Sequence, residues 1–255
     1  MNRAERLDLA KRRGVGELLG DALRIYARNF PVVFAIGLAV VVPVQLIVSG
    51  IGLEELASGY READSRAQLL IPTVVSYLVV APLIAAATIH MLQRLAEGER
   101  PHAGRSIQAG LDVFPPLFLA VLLAGAGTAL GLVLLILPGV YVAVRWYFVA
   151  QAVVIDDARS TEALRASWRL TDGFWIRTFG LVLLANIAAF LPASLLLLPL
   201  QALAESADRQ AVSLIGMILT EALTAPFVAL VSTLLFFDIR ARRTQANDDQ
   251  TSLPI

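Results

Sequence analysis

The sequence predicts an all-α, polytopic membrane protein, with six transmembrane helices and three amphipathic helices at the cytoplasmic face. Three observations predict it. Hydrophobic residues make up 57% of the chain and charged residues only 16%, and the mean hydropathy of +0.70 is too high for an ordinary soluble domain. The apolar residues fall into six long runs without strand-like alternation. The arginines gather between alternate pairs of those runs.

A helix needs roughly 20 apolar residues to cross about 30 Å of hydrocarbon at ~1.5 Å per residue. Runs of that kind cover residues 31–53, 68–92, 116–137, 140–155, 176–200 and 211–237, the fourth being the shortest. They are too long and too uniform for the ten-residue alternation of a barrel strand. Pro138-Gly139 forms a two-residue turn between the third and fourth. Pro43, Pro82, Pro192 and Pro226 lie inside runs, where proline kinks a helix and frees a carbonyl.

Orientation follows from the 21 Lys and Arg residues. Seventeen lie before the first run, after the second, after the fourth or after the sixth; Arg61, Arg66 and Arg209 lie on the other side, and Arg145 lies within a run. Positive residues in short loops stay cytoplasmic, so both termini are expected inside, in the inner or plasma membrane. No signal peptide is expected, because thirty mostly polar residues precede the first run. An Arg-rich, Lys-poor composition suggests a bacterial source. Residues 244–255 are polar and read as a disordered cytoplasmic tail, so residues 1–243 form one membrane domain.

Each cytoplasmic segment that leads into a hairpin carries a short amphipathic helix. In residues 14–29, Val15, Leu18, Leu19, Ala22, Leu23 and Tyr26 share a face opposite Arg13, Glu17, Asp21, Arg24 and Arg28. Ile107, Gly110, Leu111 and Phe114 form the second stripe, and Ala163, Ser167, Leu170 and Phe174 the third. Alignment of Ala22-Leu23-Arg24, Gly110-Leu111-Asp112 and Ser167-Trp168-Arg169 puts the three in register. Such helices are expected in the headgroup plane, with Arg toward anionic lipid. That makes lipid headgroups the expected partners, beside a membrane-protein partner or a second copy of the chain. Nucleic acid is not expected, since the basic patches lack interleaved stacking aromatics.

Ionisable groups within spans mark candidate sites, because an unpaired charge in hydrocarbon is costly. Arg145 stands six residues past the Pro138-Gly139 turn, about 9 Å along the helix. Glu221 is ten residues into the last run, so both are expected in the outer half of the membrane. Two readings follow: Arg145 and Glu221 pair or line a polar cavity with Asn186, or Arg145 snorkels to the outer headgroups. Gly125, Gly127 and Gly131 read as close helix contacts, and Asn186 and Gln45 as interhelical hydrogen bonders.

Catalytic signatures are missing. The chain has no phosphate-binding loop, nucleophile elbow or His-Glu-x-x-His helix. It has no Cys, and His90 and His102 match no metal-ligand spacing, so neither metal nor cofactor is expected. Glu62 and Asp64 lie in a short external loop without a His partner.

Several stretches together resemble the membrane domain of the glycerophosphoryl diester phosphodiesterase type. They are Pro138-Gly139-Val140-Tyr141 through Arg145-Trp146, then Val154-Ile155-Asp156-Asp157, then Ala163-Leu164-Arg165-Ala166-Ser167-Trp168-Arg169-Leu170 with Gly173-Phe174-Trp175. The closing Asp238-Ile239-Arg240-Ala241-Arg242 and the opening Gly16 to Leu23 with Tyr26 are similar as well. The resemblance implies a stand-alone integral membrane protein and no enzyme, since the hydrolase members carry their catalysis on a separate soluble barrel. Two functions are therefore expected in order: a non-enzymatic scaffold or accessory component in lipid or envelope homeostasis, then a small transporter or lipid translocase with a cavity near Arg145 and Glu221.

Overall fold

The computed structural model describes residues 9, 11–48, 73–207 and 210–251. The external loop with Glu62 and Asp64, and the cationic residues Arg61, Arg66 and Arg209, lie outside them. Every regular element among the described residues is a helix. The helices are α1 (Val15–Arg28), α2 (Phe30–Val48), α3 (Ala81–Ala96) and α4 (Ala103–Asp112), followed by α5 (Phe114–Leu134) and α6 (Ile136–Arg145). Then come α7 (Val149–Asp156), α8 (Thr161–Thr171), α9 (Trp175–Ala207) and α10 (Gln210–Thr251). A π-helical stretch, Ser76–Val80, leads into α3.

Six stretches are long and apolar enough to cross a membrane: Phe30–Val48, Thr73–Ala96, Phe114–Leu134, Ile136–Asp156, Trp175–Pro199 and Leu214–Ala246. They overlap the six expected runs, with ends shifted by a few residues. The turn between the third and fourth falls at Leu135, so Pro138-Gly139, expected to form it, lies inside α6. At the far end α10 runs on to Thr251, through the stretch where a disordered tail from residue 244 is expected. Its 42 residues make it about 63 Å long. This helix is the spine of the bundle, with α9, α2, α3 and α1 packed along it. Glycine permits the closest of these contacts, because a Cβ on Gly37 of α2 would collide with the Ala222 carbonyl of α10. The main core joins Leu18, Ile36, Met91, Leu181, Leu234 and Phe236 from five helices with Phe148 from the segment between α6 and α7.

The fourth span is broken. α6 ends at Arg145 and α7 starts at Val149; the Tyr147 and Val149 amides reach back only three residues, and the Phe148 amide is left to a side chain. Ser167 of α8 repairs the break: its Oγ donates to the Arg145 carbonyl at 2.8 Å and accepts the Phe148 amide at 3.1 Å. α5 and α6 return on each other at Leu135, where the backbones of Gly131 and Gly139 nearly touch.

The three short amphipathic helices exist and pack against the bundle: α1 on α10, α4 on α3, and α8 on α7 and α5. Their buried faces keep the register expected from sequence. Leu18, Ser106 and Ala163 are buried at one aligned position, and Ala22, Gly110 and Ser167 at the next. One residue further on, Leu23, Leu111 and Trp168 are all exposed. The true contact stripe is therefore narrower and richer in small residues than the apolar stripe drawn from sequence. Glycine and serine let α4 and α8 sit close on their neighbours, while Leu23, Leu111 and Trp168 at the margin of each stripe stay exposed.

Candidate functional site

Arg145 and Glu221 do not pair, which corrects the first sequence reading. Arg145 ends α6, and its guanidinium donates from Nε and Nη2 to the Tyr141 hydroxyl at 2.9 and 2.7 Å. Nη1 donates to Asp172 Oδ1 at 3.0 Å and to the Trp168 carbonyl at 3.3 Å. The Tyr141 and Trp168 rings each lie 5.1 Å from the guanidinium carbon. Glu221 has its own partners: Gln45 Nε2 donates to one oxygen at 2.8 Å and Ser76 Oγ to the other at 2.7 Å. The physical reason is local. The helix break after Arg145 turns it toward the end of α8, where Asp172 supplies a carboxylate. Glu221 faces α2 and the π-helical stretch, which offer neutral donors.

Asp172 also receives Arg243 Nη2 on its carbonyl, at 2.5 Å, and Arg243 belongs to the arginine cluster that closes α10. Arg145 thus stands beside residues of the two arginine-rich segments that follow the fourth and sixth runs.

A second constellation joins the two ends of the chain. Asp238 is fully buried and accepts the Arg13 amide at 2.7 Å, Arg177 Nη2 at 2.9 Å and Arg242 Nε at 2.9 Å. The Arg13 carbonyl in turn accepts Arg177 Nη2 and Arg242 Nη2, at 2.7 and 3.0 Å. Arg240 pairs with Asp156 at 2.6 Å. At the far end of α1, Tyr26 donates to the Leu223 carbonyl, and burial pushes its hydroxyl pKa up to about 12. At the near end, the Gly14 amide and Lys11 hold the Glu17 carboxyl below its usual range.

The residues singled out with these motifs now have places. Gly173 adopts φ +75°, which glycine tolerates best, and turns the chain from α8 into α9. Trp175 stacks on Tyr141 and donates to its carbonyl at 3.3 Å. Ala163 is buried, Leu164 and Leu170 pack partly buried on the core, and Pro138 lies exposed beside the close Gly139 contact.

A cavity among the spans takes in the third candidate, Asn186, and neither Arg145 nor Glu221. This also corrects the expected cavity. Its volume is about 650 Å³, between α3, α5, α6, α7, α9 and α10. Its polar lining includes Thr128, Gln151, Asn186, Thr220, Thr224 and Ser232, and none of its lining residues is charged. Gln151 and Ser232, at the heart of it, are not anticipated by the sequence reading. A lone glutamine between apolar residues in Val149-Ala150-Gln151-Ala152-Val153 was the available signal. The wall facing α9 includes Phe190, whose ring is largely exposed. Among the described residues, no group of three or more His, Asp and Glu is placed to hold a metal.

Residues 113–239 match the family model of a domain of unknown function (DUF7847). The match starts at the break before α5 and closes just after Asp238. It therefore takes in the Arg145 cage, the broken span and most of the cavity wall. No solved structure matches the chain.

Proposed function

We propose that the chain is a non-enzymatic protein of the bacterial inner membrane, with both termini cytoplasmic, that holds a lipid-class molecule in the cavity beside Gln151 and Asn186. It would serve lipid or envelope homeostasis as an accessory or scaffold component. The observation that carries this reading is the cavity itself: apolar walls, a few convergent polar groups, and a position among spans where only lipid-soluble molecules have easy access. The lopsided arginine distribution supports the orientation. The resemblance to the membrane domain of glycerophosphoryl diester phosphodiesterases supports a connection with lipid, as an analogy of architecture only.

Native mass spectrometry of the gently purified chain tests it. A discrete lipid-mass adduct is expected, and a clean unliganded mass overturns the reading. A transporter or translocase is the second reading. It is favoured by Pro192 and Pro226, each lying inside one of two helices that line the cavity and each removing a backbone donor there. Substrate-dependent flux in proteoliposomes would put that reading first.

A further inference from the structure

The cavity's hydrogen-bonding capacity narrows the ligand. Ser232 Oγ donates to the Ala229 carbonyl at 2.9 Å and accepts Gln151 Nε2 at 3.0 Å, which fixes the orientation of the Gln151 amide. Gln151 is only 2% exposed, and its Oε1 has no partner. Asn186 commits its Nδ2 to the Val182 carbonyl at 2.8 Å, so its spare capacity is the acceptor Oδ1. Thr224 gives its proton to the Thr220 carbonyl. What the walls have left to offer is two amide acceptors, Gln151 Oε1 and Asn186 Oδ1, and the unpartnered hydroxyl of Thr220, a set that suits a group able both to donate and to accept; a buried polar atom without a partner is unfavourable. With no Lys or Arg in the lining, a phosphate group would lose its hydration without gaining a cationic partner. On the basis of the lipid-binding reading above, we infer that the ligand is a neutral lipid alcohol: hydrocarbon ending in a free hydroxyl and carrying no charge, the chemistry shared by diacylglycerols and polyprenols. Its hydroxyl donates to Gln151 Oε1, and its hydrocarbon leaves toward the bilayer past Phe190.

The test uses the full chain in detergent with dioctanoylglycerol, a short polyprenol or dioctanoyl phosphatidylglycerol, scored by native mass spectrometry over a concentration series. At least one of the two alcohols is expected to bind at 1:1, and which of them does identifies the source. Gln151→Leu is expected to weaken that binding about tenfold while leaving the melting temperature near that of the parent. If Gln151→Leu does not fold, Asn186→Leu, at an exposed position, takes its place. Phosphatidylglycerol binding as tightly as either alcohol, or alcohol binding indifferent to both variants, overturns the ligand class and leaves a lipid-binding protein. Retention of no lipid at all overturns both readings.

Discussion

Replacing Asp238 by Ala removes the acceptor on which α1, α9 and α10 converge. The carboxylate is fully buried and receives two guanidinium groups and one main-chain amide. Deleting one partner of a buried ion pair costs about 3–5 kcal/mol, chiefly because the remaining charge is stranded. Arg177 and Arg242 are about a quarter exposed, at 24% and 27%, so water recovers part of their loss. The Arg13 amide has no such recourse, as Arg13 is 2% exposed. The expected destabilisation is therefore at the lower end, about 3 kcal/mol. At ~2–4 °C per kcal/mol for a domain of this size, that lowers the melting temperature by roughly 6–12 °C. Thermal aggregation of a fluorescent fusion in detergent measures it. Because stranded charge is the cause, adding Arg177→Ala to Asp238→Ala should restore part of the loss. A shift below about 2 °C for the single variant, or a double variant that is worse by the full sum, would refute the reasoning.

Three more outcomes follow from the geometry. A double-mutant cycle between Arg145 and Glu221 should show coupling below about 0.5 kcal/mol, since they share no partner, whereas Arg145 with Tyr141 should couple by about 1 kcal/mol; thermal shifts of the four variants of each cycle decide it. Gly37→Ala should destabilise by about 1–3 kcal/mol in the same assay even though alanine favours helix, because its methyl meets the Ala222 carbonyl. The Tyr26 hydroxyl, ordinarily near pH 10, titrates at about 12 when folded, so its stabilising contribution is complete below about pH 10 and disappears as pH rises toward 12; the parent should lose melting temperature over that window more steeply than Tyr26→Phe.

The spans were legible because crossing hydrocarbon imposes length and apolarity on a single local segment. The register of α1, α4 and α8 was legible for a similar reason: a 3.6-residue period is written within a dozen residues. Local pattern did not separate the packed part of each stripe from its margin: Leu18, Ala22 and Gly110 are buried, while Leu23 and Leu111 of the same stripes are exposed. The partner of Arg145 was hidden by a helix break that hydropathy does not record, since residues 146–148 are as apolar as their neighbours. Asp172, its carboxylate, is 27 residues away, and Gln45 and Ser76 reach Glu221 from 176 and 145 residues away. Partners so distant are set by how helices cross, which no single stretch of sequence encodes.

The bond between the Arg13 amide and Asp238 joins positions 225 residues apart. A ribosome adding about 5–20 residues per second needs roughly 10–45 s to travel from one to the other. Throughout that interval Leu18, Ala22 and Ile25 have been made, while the helix they rest on has not. Nothing yet translated can receive the Tyr26 hydroxyl at Leu223, or the Arg13 amide at Asp238. The nascent protein therefore carries a half-apolar segment without its partner helix for most of its synthesis. Among the described helices, the earliest made waits longest for its seat.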